Sequence, residues 1–230
     1  MRKPINIKIT ALAFAILIFL PIAVHAQAGL DSGAAPAGQG QSSPAAQFIQ
    51  DLGNRAIGIA ADKNLSTTQR LDKYHNILSQ SFDLPVIAHF VIGRSWDSAP
   101  PEQQQEYLKL FQTLVVRTYG DKLNLYSGEK FDVKGSRKEN DKDTVVNSVV
   151  THADNSPPTP IDWRVRDENG SSKIVDVTID GVSQSVTQRD EYSSIIQRDG
   201  GKLDGLLKLM RQRLHQPDNG PGDNAQSGNK

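Results

Sequence analysis

The chain predicts an α+β fold: N-terminal helices packed on a curved antiparallel β-sheet of about four strands, with C-terminal helices completing the layer. Three features predict it. Apolar residues recur at helical spacing from Phe48 to about Gly120, alternate from Phe131 to Ile179, and return to helical spacing from Arg189 to Leu214. Runs of helices, then strands, then helices segregate into layers, whereas a parallel α/β sheet would interleave them.

The helical half has its own punctuation. Ser43 and Pro44 form an N-cap and first-turn pair, after which Phe48, Ile49, Leu52, Ala56, Ile59 and Ala60 share one face. Ser66 and Gln69 have the spacing of a capping box, ahead of a stripe of Leu71, Tyr74, Leu78 and Phe82. Asp83 caps a short helix through Ile92, which Gly93 ends. Ser98-Ala-Pro-Pro then opens a fourth helix with Tyr107, Phe111, Leu114 and Thr118 on one face.

The strands follow with period two. Phe131 and Val133 alternate with Asp132 and Lys134, and the next segment reads equally as Val145 with Val149 or as Val146 with Val150. Ile161, Trp163 and Val165 oppose Asp162, Arg164 and Arg166, while Val175, Val177 and Ile179 oppose Asp176, Thr178 and Asp180. One buried face per strand is the pattern of an antiparallel sheet. Asn169-Gly170 is a hairpin turn and Asp180-Gly181 ends the last strand. Arg189 to Gln197 and Lys202 to Leu214 are helical, with Gly200-Gly201 as the break.

The ends bound the domain. Arg2, Lys3 and Lys8 precede or open the apolar run Ile9 to Leu20, and Pro21 with Val24-His25-Ala26 completes the form of a cleavable export signal, cut near Ala26 or Ala28. That run is short for a membrane span, which needs about 20 apolar residues. Residues 1–26 are therefore read as a signal peptide, 27–43 as a disordered linker poor in large apolar residues, 44–214 as the folded domain and 215–230 as a disordered tail. Cleavage at Ala26 removes three basic residues and no acidic one, changing 26 Lys and Arg against 26 Asp and Glu to 23 against 26. A mildly acidic domain has no electrostatic drive toward nucleic acid. The absence of Cys removes thiol nucleophiles, thiolate metal sites and disulfides together, so packing alone must hold the core.

No motif for covalent chemistry is present. His75, His89, His152 and His215 lack metal-ligand spacing, and there is no Gly-x-Ser-x-Gly elbow, phosphate-binding glycine loop or dinucleotide fingerprint. Asp176 and Asp180 lie about 13 Å apart along an extended strand, too far for a glycosidase pair, and read as a solvated face. Arg164, Arg166 and Arg189 offer an anion site, weighed against the ordinary exposure of charged strand residues. The expectation is therefore no catalytic residue, no metal and no cofactor.

The segment Lys173-Ile-Val-Asp-Val-Thr-Ile-Asp-Gly-Val-Ser183, with Arg189, Tyr192-Ser-Ser-Ile-Ile196, Gly200-Gly201 and Leu206-Leu207, resembles the C-terminal half of the MlaC family, the toluene-tolerance auxiliary component of the Mla ABC transport system. Tyr107, Phe111 and Thr118-Tyr119-Gly120 fit the same family, and the likeness covers about Phe48 to Leu214. Asp162-Trp-Arg-Val-Arg166 and Ser185-Val-Thr-Gln-Arg189 are most similar to its HpnM branch, associated with hopanoid biosynthesis. Ser172 stands where many members carry Trp.

The resemblance implies a soluble periplasmic carrier that shelters the acyl chains of a phospholipid, or a hopanoid, in an apolar cavity between sheet and helices. It implies as partners an inner-membrane ABC transporter with a membrane-anchored lipid-accepting subunit, and an outer-membrane lipid-donating complex. The helical side of the lipid site is then Phe82, Ile87, Val91, Trp96, Phe111, Tyr119, Tyr192 and Ile196. The sheet side is Val149, Trp163, Val175, Val177, Ile179 and Val182. Two alternatives stand beside it: a non-catalytic adaptor with a filled core, and a lipid-modifying enzyme for which His89 and His152 are the titratable candidates.

Overall fold

The computed structural model describes residues 43–123, 128–154, 156–168 and 170–215, so the predicted signal peptide, nearly all of the linker and the tail beyond His215 lie outside the described residues. The helices begin where the sequence places their caps. Helix α1 spans Pro44–Ala61, and the Ser43 side chain accepts from the Ala46 amide at 3.1 Å. Helix α2, Thr67–Ser81, opens with a full capping box: Ser66 Oγ accepts from Gln69 N at 3.2 Å, and Ser66 N donates to Gln69 Oε1 at 2.9 Å. Helix α3 is Leu84–Ile92, capped by Asp83 Oδ1 on the Val86 amide at 3.1 Å and ended by Gly93 at φ +56°. An additional single turn, α4 over Ser95–Ser98, precedes the predicted fourth helix, which is α5 over Pro101–Leu123. The two are separate because Pro100 and Pro101 lack the amide hydrogens that would continue the turn.

The sheet is an antiparallel meander in the order β1-β2-β3-β4-β5: Lys130–Lys138, Asp143–Thr151, Thr159–Glu168, Ser171–Ile179 and Val182–Ser183. The fifth strand, additional to the expected four, folds back through Asp180 at φ 48° and Gly181 at φ 80°, a two-residue turn with both positions in the left-handed backbone region. Pairing of Val146 with Trp163 and Ser148 with Ile161 settles the β2 register, so Val146 and Val150 face the core. In β4 a bulge corrects the expected alternation. Val165 pairs with Ile174 and Arg164 with Asp176, so Val175 is the extra residue and Ile174 takes its place beside Val177 and Ile179. Helix α6, Gln184–Arg198, starts five residues before the expected Arg189, and α7 is Asp204–His215, which takes in His215 from the predicted tail.

Among the described residues two apolar cores form, with no shared residue. One joins Ala46, Ile49 and Leu52 of α1 and Ile77 of α2 to the inner sheet face of Val146, Ile161, Trp163, Val165, Ile174, Val177 and Ile179. The other joins α3, α5, α6 and α7 through Ala88, Val91, Tyr107, Phe111, Tyr192, Ile196, Leu206 and Met210. The segment between α2 and α3 ties them: Phe82 bridges to Ile174, and the Asp83 amide donates to the Ile174 carbonyl at 2.9 Å.

Candidate functional site

The predicted wall residues fall on both sides of that division. Trp163, Val177 and Ile179 belong to the sheet core, with Phe82 packed against it. Val91, Phe111, Tyr192 and Ile196 belong to the helical core, with Ile87 and Trp96 packed against it. Val175 is buried and belongs to neither. Tyr119 is half-buried on α5, and burial pushes its phenol up to about 12. Two predicted members are displaced. Val149 pairs with Pro160 on the sheet face opposite Trp163, and Val182, in the short β5, is 54% exposed.

Both cores contain polar anchors. Trp163 Nε1 donates to Ser148 Oγ at 2.8 Å, and that hydroxyl donates to the Ile161 carbonyl at 3.0 Å, which fixes the indole plane edge-on to Phe131. In the helical core Tyr107 donates to the Ala88 carbonyl at 2.9 Å and packs against Phe111 and, edge-on, against Tyr192. Burial raises the phenols of Tyr107 and Tyr192, so both stay protonated and serve as apolar surface with one donor each.

The expected cavity is not shown along the sheet wall. Two hollows open elsewhere on the described surface. One, of about 320 Å³, is bordered by Ala46, Gln47, Gln50 and Asp51 of α1 and by Asp132 and Val133 of β1; the other, of about 310 Å³, by Pro85, Val86, His89, Trp96 and Leu108. Such volumes match only the smaller ligand sites. Of the predicted residues, Trp96 borders the second hollow, where it meets the His89 ring edge-on at 5.1 Å. His152 is buried beyond β2, its Nε2 within 2.9 Å of Thr159 Oγ1, whereas His89 is exposed on α3, so the two titratable candidates do not converge.

The three candidate arginines separate cleanly. Arg166 forms a two-pronged pair with buried Asp143, Nε to Oδ1 at 2.7 Å and Nη2 to Oδ2 at 3.0 Å, and Arg164 pairs with Glu139. Arg166 holds the Asp143 carboxyl below its usual range, helped by Asn140 and Arg164 against the opposing effect of burial. Asp176 is not the solvated strand residue expected. Its Oδ2 accepts from Ser183 Oγ at 2.7 Å and its Oδ1 from the Ser185 amide at 3.1 Å, while Ser183 Oγ caps α6 by accepting from the Val186 amide at 3.2 Å, so the helix starts early. Arg189 has neither ion pair nor hydrogen bond among the described residues. Its guanidinium lies 5.0 Å from the Phe90 ring centroid.

Sequence reasoning missed this cluster around Phe90, along with Leu203, Leu206, Leu207 and Met210 as wall of the helical core. The helical spacing of Leu203, Leu206, Leu207 and Met210 was a usable signal; the meeting of Phe90 with Arg189, 99 positions apart in the numbering, was not.

The profile of the MlaC protein family matches residues 50–212. The chain belongs to the MlaC family. Its matched stretches are 28% identical over 131 residues to the intermembrane phospholipid transport system binding protein MlaC of Haemophilus influenzae, and 25% identical over 137 residues to the toluene tolerance protein ttg2D of Pseudomonas putida. They cover 55% and 59% of this MlaC-family chain and 60% and 63% of those relatives, so the chain aligns with less than two thirds of either. A solved structure of a phospholipid-binding protein from Ralstonia solanacearum, in complex with a phospholipid, is 26% identical at a TM-score of 0.64, covering 74% of this chain and 97% of that one.

Proposed function

We propose that this chain is a soluble periplasmic lipid carrier that takes up the acyl chains of a phospholipid and moves the lipid between membrane complexes without covalent chemistry. The likeness to the phospholipid-bound Ralstonia protein, over almost all of that protein's length, carries the reading. Physical need agrees with it. At about 0.8 kcal/mol per buried CH₂, a long acyl chain exposed to water costs roughly 10 kcal/mol or more, so a carrier must enclose it. The two apolar cores supply walls of the right chemistry, and the seam between them, at Phe82, Val175 and Ile174, is where the chains would enter. Loading then separates the layers while each core keeps its own packing.

The partners proposed are an inner-membrane ABC transporter with a membrane-anchored lipid-accepting subunit, and an outer-membrane complex that donates lipid. Hopanoid is the alternative cargo. Native mass spectrometry of the protein purified from the periplasm, followed by organic extraction, tests the reading. A stoichiometric phospholipid is the expected result and a hopanoid would reassign the cargo. A clean lipid-free mass under gentle conditions would favour a packed adaptor instead.

A further inference from the structure

Arg189 differs from the other two arginines considered for an anion in how it is held. It sits half-buried on the second turn of α6 with its guanidinium against the Phe90 ring, 5.0 Å from the centroid. Beneath it is Gly93, where a Cβ would come within 3.2 Å of Nη2. At φ +56° that position also disfavours any L side chain, so the backbone leaves a recess that the guanidinium fills. The planar cation is fixed from one side by an aromatic ring and from below by a glycine, and among the described residues no carboxylate or carbonyl takes up its donors.

The surroundings are apolar. Phe90 is 41% exposed and Val186, one turn before Arg189 on α6, is 46% exposed. The exposed side of α3 runs from Phe90 back through His89 and Val86 to the hollow bordered by Trp96 and Leu108. A positioned cation with free donors, set within exposed apolar surface, matches an amphiphile with one anionic group. A guanidinium binds a phosphate diester through two parallel N–H···O bonds, which a lone lysine cannot do.

We propose that Arg189 receives the phosphate of a lipid headgroup, with Phe90 and Gly93 as its positioning residues. The inference rests on the carrier reading and gives it a preference: lipids with a phosphodiester are held more tightly than uncharged lipids with the same chains. The donors are offered at a half-buried position, so the effect is at the lower end for charged hydrogen bonds, about tenfold in affinity.

The test compares the full chain with its Arg189→Gln and Arg189→Lys variants, each stripped of lipid and titrated with phosphatidylglycerol, with diacylglycerol of the same chains, and with inorganic phosphate. Thermal melts check that each variant is folded. The expected result is that Arg189→Gln weakens phosphatidylglycerol binding about tenfold and leaves diacylglycerol unchanged, with Arg189→Lys between the two. Equal losses for both lipids, or no loss for either, overturn the role of Arg189 while leaving the carrier reading intact. Binding of neither lipid by the unaltered chain overturns that reading and this inference with it. Arg189-dependent binding of inorganic phosphate with no lipid preference would assign the residue to free phosphate and overturn the headgroup role.

Discussion

Tyr107 has no exposed surface, and its hydroxyl is spent on one bond, to the Ala88 carbonyl of α3. Replacing it with Phe keeps the ring contacts with Phe111 and Tyr192 and removes only that bond. Tyr107→Phe is expected to cost about 1 kcal/mol, measured as a drop of a few degrees in melting temperature. Asp143 is the corresponding anchor on the sheet. Arg166 depresses its folded pKa, so the stability it adds is complete above the ordinary aspartate value near 4 and is lost as pH falls through the lower folded value. Asp143→Asn should therefore destabilise the protein by about 2 kcal/mol at neutral pH and flatten the acid limb of stability against pH in urea unfolding. The sequence shows Arg164, Arg166 and Arg189 as equivalent candidates. Only the strand register, which brings Asp143 opposite Arg166, and the turn that returns Glu139 to Arg164 distinguish them.

Most element boundaries were legible, because caps are local: Ser43, Ser66, Asp83 and Gly93 each act on residues a few positions away. What escaped was pairing across elements. The bulge that exchanges Val175 for Ile174 depends on β3, and the capping role of Asp176 depends on Ser183 and Ser185 arriving through the Asp180-Gly181 turn. Two ties to one half-buried carboxylate make that junction sensitive. Asp176→Ala is expected to cost about 1 to 2 kcal/mol and to speed hydrogen exchange at the Ser185 and Val186 amides, with β1 and β2 unaffected.

The switch from helical to alternating spacing and back was enough to read the layers, and the C-terminal motif was enough to read the family. The two cores were not legible, since the helical one gathers α3 and α5 with α6 and α7 from the far side of the sheet in sequence. On the carrier reading, a lipid held between the layers would stabilise only the folded state. Lipid extraction should lower the melting temperature, and reloading should restore it in proportion to the logarithm of free lipid. Hydrogen exchange should show the largest protection gain at Asp83, on the α2 to α3 segment that ties the layers.

The strand order carries a consequence for how the chain acquires this structure. Each strand of the meander pairs with the one before it, so the sheet is built from hairpins whose partners are close along the chain. The helical layer is closed by distant contacts, such as Arg117 to the Leu214 carbonyl across 97 positions and Arg211 to Glu106 across 105. Low contact order favours early formation and loop closure delays the rest. Pulse-labelled exchange during refolding should show β2, β3 and β4 protected before α5 and α7, so the folding chain would hold its sheet while its helical layer still stood open.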